Sequence, residues 1–272
     1  MTTTDAGRAL PFWKAAQITL RLSLRGLLRN RRSAVLALLL GLPVLIALVQ
    51  RLAAPGSAAS ANLYTILVAG YYVGSFLPFV GKAVPLAALF FAAALISDEV
   101  EGRTLVYYLT RPIPRAAGVI GKWGAALAWT AGATAASLLL VFALTAPDLA
   151  TALASAPRLL RDVAVTFAAL TAYGALFAAL GALLRRPLVP GILFLYLWEW
   201  LARITPATAR LTLSTPIESL LSRDTLPARL NWLIGRTALP PAEAIAIIVA
   251  VTLAGVGLAS YVFARREHTP HR

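Results

Sequence analysis

The chain has 272 residues, of which 59% are hydrophobic and only 13% charged, whereas a soluble domain has about half apolar and a quarter charged residues. A soluble fold cannot bury such an excess of apolar surface, so the composition excludes that class and indicates a multi-pass membrane protein. The net charge of +14 lies in short segments between apolar runs, which favours contacts with anionic lipid headgroups over a nucleic-acid partner.

Metal and disulfide chemistry have little support in the sequence. Cysteine is absent, and the two histidines, His268 and His271, lie in the last five residues. A lone pair of histidines in a polar tail is usually solvated. We therefore expect no metal site, no cofactor bound to this chain and no catalytic residue.

The first 32 residues are predicted to form a cytoplasmic amphipathic arm. From Pro11 to Arg32 the apolar side chains recur at helical spacing, and a basic stripe runs along the opposite side. This pattern is typical of a helix that lies in the membrane interface. The basic stripe consists of Lys14, Arg21, Arg25, Arg29 and Arg32.

The apolar runs that follow predict an all-α integral membrane fold with six transmembrane helices in one domain, 33–264. The predicted helices are about 33–50, 78–97, 123–147, 163–184, 188–204 and 244–264. They leave a cytoplasmic loop at 98–122, an outer loop at 205–243 and a cytoplasmic tail at 265–272.

The stretch between the first and third predicted helices fits either one crossing or two, because Lys82 and two prolines interrupt it. Charge decides between them. With one crossing, 16 of the 25 basic residues lie on the side of both termini and nine on the other. The positive-inside rule then places both termini in the cytoplasm. Segment 52–77 becomes an interfacial or re-entrant piece on the outer face of a cell membrane.

The loop at 98–122 carries the most distinctive motif. Three acids, Asp98, Glu99 and Glu101, end one membrane helix, and Thr104 is placed to cap a short helix. Its apolar residues Leu105, Tyr108 and Leu109 share one face. The prolines of Arg111-Pro112-Ile113-Pro114-Arg115 end it. The pattern predicts a short amphipathic helix along the cytoplasmic surface.

This loop resembles the corresponding loop of ABC type-2 exporter permeases, of the type V exporter-like fold. Their second membrane helix ends in an E-x-E-x-G-x-T-like pattern, followed by a coupling helix, an R-P-x-x-R-like turn and a G-K pair. The matching residues are Glu99, Glu101, Gly102, Thr104, Leu109, Arg111, Pro112, Arg115, Gly121 and Lys122. The amphipathic arm, the six crossings, Trp198-Glu199 and the later Ser-Thr-Pro stretch are also similar to the family.

The resemblance implies a permease subunit that pairs with a second copy of itself or a homologous permease and with separate ATPase subunits, which bind ATP and Mg²⁺. The ATPase would dock on the loop. The residues implied in coupling are Glu99, Glu101, Gly102, Arg103, Thr104, Leu105, Tyr108, Leu109, Arg111, Pro112 and Arg115. The alternative is that this loop is a plain polar connector.

This chain is not expected to hydrolyse ATP. A Walker A loop needs G-x-x-x-x-G-K-[ST]. Around Gly121-Lys122 the first position is Ala116 and the last is Trp123. We therefore predict a subunit that is not an enzyme and depends on an ATPase from another chain.

Glu199 is the one acid inside a predicted helix. Acids in membranes are costly and often functional, so Glu199 is a candidate substrate contact. Its other interpretation is structural: Arg203 follows at i+4, and an ion pair near the outer boundary would suffice. The glycines Gly124, Gly132, Gly174 and Gly181 are expected to mark close helix packing.

Two other function classes remain open from sequence. One is a stand-alone secondary transporter or channel, and the other is a non-transporting scaffold that couples an ATPase to an extracytoplasmic partner. The sequence does not identify the cargo.

Overall fold

The computed structural model describes residues 11–28, 31–53, 83–93, 115–184, 186–202, 205–221 and 239–265. Every regular element within these ranges is helical. The helices are α1 (Phe12–Leu28), α2 (Arg31–Ala53), α3 (Ala83–Ala93), α4 (Arg115–Thr145), α5 (Leu149–Leu183), α6 (188–201), α7 (Pro206–Ala209), α8 (Ser214–Leu220) and α9 (Pro241–Arg265).

Four of these helices, α2, α4, α5 and α9, are long and apolar enough to cross a bilayer. Two shorter apolar helices, Ala83–Ala93 and Leu188–Trp198, complete the apolar set within the described ranges. Both of the shorter ones contain a π-helical turn, Leu89–Ala93 in α3 and Phe194–Trp198 in α6. The all-helical architecture is that of an integral membrane protein.

The helices α2 and α4 run parallel. Ser137 donates a hydrogen bond of 2.7 Å to the carbonyl of Leu40, and Arg51 donates one to the carbonyl of Ala146. The partners are 97 and 95 residues apart in sequence. Because this separation is nearly the same at both contacts, the two helices run in the same direction. If both cross the membrane, the chain must return between them, and α3 lies in that interval.

The helix α4 begins at Arg115, eight residues before the predicted start of the third crossing, so the predicted loop 98–122 ends earlier than we expected. Pro114 is the last helix breaker, and the residues from Arg115 to Lys122 contain no proline. With 31 residues, α4 is about 46 Å long at 1.5 Å per residue. It exceeds the hydrocarbon thickness of about 30 Å.

The helix α5 also extends beyond its predicted range of 163–184, since it begins at Leu149. Asp148 caps it, accepting a 2.7 Å hydrogen bond from the Thr151 amide. The charges of Arg158, Arg161 and Asp162 set the limit of the apolar run from which we predicted the helix. Charge ends a membrane-buried stretch, but it does not end a helix.

The fifth predicted crossing, 188–204, corresponds to α6 (188–201). The regular helix ends at Leu201, and two short helices, α7 and α8, follow within the predicted outer loop 205–243. Thr205 caps α7, with Pro206 in its first turn. All residues from Thr212 to Glu218 are buried, so this part of the predicted loop packs inside the fold.

The helix α5 is the centre of the core. It packs against α9, α4, α3 and α8, and its side chains from Ala172 to Ala175 are all buried. Close approaches occur at glycine: a Cβ on Gly181 would lie 2.5 Å from the Ala93 carbonyl oxygen, and one on Gly255 would lie 2.7 Å from the Ala175 backbone. Small residues thus bring α3 and α9 against α5.

Several predictions fall outside the described residues. They concern the interfacial segment 52–77 beyond Ala53, the coupling residues from Glu99 to Pro112, Arg203, the tail beyond Arg265 and the two histidines.

Candidate functional site

Polar residues line one face of α5 within the core. Asp162, Thr166 and Tyr173 follow one another at i, i+4 and i+11, a spacing that places them on one side of a helix. Their exposed fractions are 2%, 3% and 1%. Thr166 satisfies its hydroxyl by donating to the Asp162 carbonyl at 2.7 Å. We call these three residues the polar face of α5.

The Tyr173 end of this polar face meets Glu199. The Tyr173 hydroxyl donates a hydrogen bond to Oε1 of Glu199, and both side chains are 1% exposed. An aromatic series continues from the same place: Tyr173 stacks on Phe177 at 6.0 Å, and Phe177 packs edge-to-face on Phe194 at 6.3 Å. These contacts attach α6 to α5.

Glu199 lies near the far end of α6, two residues before Leu201. Its partner Tyr173 lies ten residues before the end of α5 at Leu183. The predicted ion partner Arg203 lies outside the described residues. The outer-boundary position of Glu199 and its role as a cargo contact or a structural acid therefore stay predictions.

The outer half of the site is formed by α7, α8 and their junction. Thr212 and Thr215 bond each other at 2.8 Å, and Thr215 also donates to the Ala209 carbonyl at 2.7 Å. Glu218, one turn further, is 2% exposed. The Arg161 side chain donates to the Leu220 carbonyl at 2.9 Å, which ties the end of α8 to α5 beside Asp162.

Three of the five acids in the described part of the chain are thus buried: Asp162, Glu199 and Glu218. Buried carboxylates are stabilised by hydrogen-bond donors or cations, and the Tyr173 hydroxyl is such a donor for Glu199. The described residues contain no cluster of three or more His, Cys, Asp or Glu that could hold a metal ion.

Of the predicted coupling residues, only Arg115 lies in the described ranges, where it begins α4. The first turns of α4 pack tightly on α1. A Cβ on Gly121 would lie 2.5 Å from the Ala16 carbonyl oxygen and 2.8 Å from the Thr19 Cβ. Ala15, Ala16 and Ala117 form a small core of their own with Phe12 against it.

The four glycines that were predicted to mark close helix packing differ in their surroundings. A Cβ on Gly124, Gly174 or Gly181 would meet a neighbouring helix within 3.3 Å, as expected for close packing. At Gly132 nothing in the described part of the chain lies within 4 Å, so no close packing is seen there.

Sequence reasoning did not identify Tyr173 as a partner of Glu199, and it placed Asp162 and Glu218 at the outer loops. The i, i+4, i+11 spacing of Asp162, Thr166 and Tyr173 is visible in the sequence. It could have been found if the helix had been extended past Asp162 toward Asp148.

The long apolar helices and the buried acids together define a multi-pass membrane protein with a polar interior. The protein-family description "ABC-2 family transporter protein" matches residues 19–268, and the chain therefore belongs to this family. It is a permease component of an ABC transporter, a transmembrane subunit that works with an ATPase and is not itself catalytic. This confirms the resemblance found in the loop motif. A comparison with curated proteins found no match.

Proposed function

We propose that this chain is the membrane subunit of an exporter, in which a separate ATPase docks on the segment before α4. The coupling helix would lie between Glu101 and Leu109, with Glu99, Gly102 and Arg111 at its boundaries. The ATPase supplies ATP and Mg²⁺ binding, and two permeases, identical or homologous, assemble with two ATPase subunits. In this proposal six helices cross the plasma membrane, and both termini lie in the cytoplasm.

The observation that supports this proposal most directly is the continuity of α4. The helix starts one residue after Pro114 and runs 31 residues to Thr145 without an internal proline. It packs on α1, α2, α5 and α9. A continuous helix moves as a rigid body, because bending it breaks backbone hydrogen bonds. A displacement of the preceding loop would therefore reach the outer end of α4.

The polar face of α5 is the candidate cargo region in this proposal. Glu199 lies on a helix that ends two residues later. We infer that this helix end lies near the midplane of the membrane, where interrupted helices are typical of transport sites. Movement of α4 reaches this region through α5, since Trp123 of α4 packs against Gly174, next to Tyr173.

The docking proposal is tested by replacement of the loop residues. We expect Glu99→Gln, Gly102→Val and Arg111→Gln to reduce co-purification of the ATPase with the full chain, or to uncouple its ATP hydrolysis from transport. Arg186→Gln is the matched control for Arg111→Gln, because this exposed residue lies in the turn between α5 and α6, which the proposed topology also places in the cytoplasm. Wild-type association and coupling in all three loop variants would overturn the proposal.

Orientation is tested by single cysteines, since the natural chain has none. We expect a cysteine at Arg186 to react with an impermeant maleimide only after the membrane is opened, and a cysteine at Leu149 to react in intact cells. The reverse pattern would contradict cytoplasmic termini.

A further inference from the structure

The helix α1 carries a set of exposed side chains that the packing of the fold leaves uncovered. Ala15, Ala16 and Thr19 are buried toward α4. Lys14, Arg21 and Arg25 are exposed on the opposite side. No acid occurs anywhere in Phe12–Leu28. The free face of α1 is thus purely cationic in charge.

Large apolar side chains flank this basic cluster. Trp13, Ile18 and Leu22 are 70%, 45% and 61% exposed. At 100° per residue, Trp13 lies on one side of the basic cluster, and Ile18 and Leu22 lie on the other. A surface that mixes cations with exposed tryptophan and leucine is suited to a lipid interface, where the rings and chains enter the membrane and the charges meet headgroups.

The position of α1 places this face at the membrane boundary. Its last residue, Leu28, is followed after two residues by α2, a membrane-spanning candidate. The Ser33 hydroxyl of α2 donates a hydrogen bond to the Leu27 carbonyl, which fixes the end of α1 beside the start of that crossing. The helix α1 also packs against the first part of α4, which begins before the predicted membrane span.

We propose that the free face of α1 binds anionic phospholipid headgroups of the cytoplasmic leaflet through Lys14, Arg21 and Arg25. Charge complementarity selects anionic lipid, because the face has three cations and no acid. Each basic residue near an anionic membrane surface strengthens the association about fivefold. Since α1 is packed against Gly121, bound lipid also holds the first turns of α4 in place.

The test uses the full chain in nanodiscs that contain photoactivatable phosphatidylglycerol or, separately, photoactivatable phosphatidylcholine. Cross-linked peptides are mapped by mass spectrometry. We expect residues 12–28 to be labelled several-fold more by phosphatidylglycerol, and we expect added salt to reduce the difference. The triple variant Lys14→Gln/Arg21→Gln/Arg25→Gln should lose most of this preference.

Two controls separate charge from packing. The charge-retaining variant Arg21→Lys/Arg25→Lys should keep the preference. The variant Arg186→Gln/Arg210→Gln/Arg265→Gln, which removes the same number of charges elsewhere, should also keep it. Equal labelling of α1 by both lipids, or an unchanged preference in the triple variant, would overturn the proposal. So would a triple variant that keeps its lipid labelling but loses the co-purifying ATPase, because the face would then be a protein contact.

Discussion

The Tyr173 hydroxyl donates a hydrogen bond to the Glu199 carboxylate in the interior of the fold, with both side chains 1% exposed. This contact joins the central helix α5 to α6 two residues before the regular helix of α6 ends. Glu199 is therefore positioned by a hydrogen bond from another helix as well as by its own helix.

Tyr173→Phe is expected to destabilise the chain. The substitution removes the donor and leaves a buried acceptor with one hydrogen bond fewer, and side-chain hydrogen bonds between helices of a membrane protein contribute about 0.6 kcal/mol on average and up to about 1.7 kcal/mol. The free energy of unfolding in mixed SDS micelles measures the loss. Tyr261→Phe is the control, since that tyrosine is 53% exposed and keeps its ring against Arg265.

The same pair gives a double-mutant cycle. If Tyr173 and Glu199 stabilise the fold through their mutual bond, the double variant Tyr173→Phe/Glu199→Leu should lose less than the two single variants combined, because leucine removes the acceptor. Additive losses would show that the two residues act independently.

Glu199→Gln separates a cargo role from a structural one. Glutamine keeps an acceptor for Tyr173 but removes the negative charge, so assembly with the ATPase should be retained. Transport of a cationic cargo should fall, measured as ATP-dependent efflux from cells that express the complex. Unchanged transport would remove Glu199 from the cargo region.

Gly181→Ala and Gly132→Ala should have opposite effects. At Gly181 the added methyl group would lie 2.5 Å from the Ala93 backbone oxygen, so α3 or α5 has to shift. At Gly132 nothing lies within 4 Å, and alanine favours the helix by up to about 1 kcal/mol. Thermal unfolding in detergent should show a lower midpoint for the first variant only. A similar loss in both would contradict the packing of α3 on α5.

The parallel packing of α2 and α4 predicts a specific cross-link. A cysteine pair at Leu40 and Ser137 should form a disulfide under mild oxidation, because the Ser137 hydroxyl lies 2.7 Å from the Leu40 carbonyl. The pair at Leu40 and Leu139 is the control, since Leu139 is 52% exposed on another side of α4. Preferential cross-linking of the control pair would exclude this register.

Asp148 predicts an acid-sensitive helix start. Hydrogen bonds from the Thr151 side chain and amide lower the pKa of Asp148 below its ordinary value. The carboxylate form therefore stabilises the folded state above the ordinary carboxyl pKa, and this contribution is lost as pH falls through the lowered value. The protection factors of the amides at the start of α5, which correct for the intrinsic pH dependence of exchange, should fall with acid in the wild type. In Asp148→Asn, which lacks the charge, that fall should be absent.

The sequence predicted the helical class, the family and the approximate place of most apolar helices, because uncharged runs report directly on membrane burial. It did not predict the extension of α5 to Leu149. Helix ends depend on caps such as Asp148 and on breakers such as Pro114, and these lie outside the apolar runs.

The burial of the residues from Thr212 to Glu218 was also missed, and for a different reason. These residues are polar by composition, which is typical of a loop, but their threonine hydroxyls bond one another and the nearby Ala209 carbonyl. Only tertiary packing shows that these groups have partners. The hydrogen bond between Tyr173 and Glu199 is also a tertiary contact that the sequence does not show.

The central claim is that a separate ATPase drives this permease through the segment before α4. The most direct measurement is ATP hydrolysis in proteoliposomes that contain the chain alone, the ATPase alone or both together. We expect no hydrolysis by the chain alone, and a rate for the complex that differs from that of the ATPase alone and returns to it in the Gly102→Val variant. Transport driven by a proton or ion gradient through the chain alone, with no effect of the ATPase, would contradict the account.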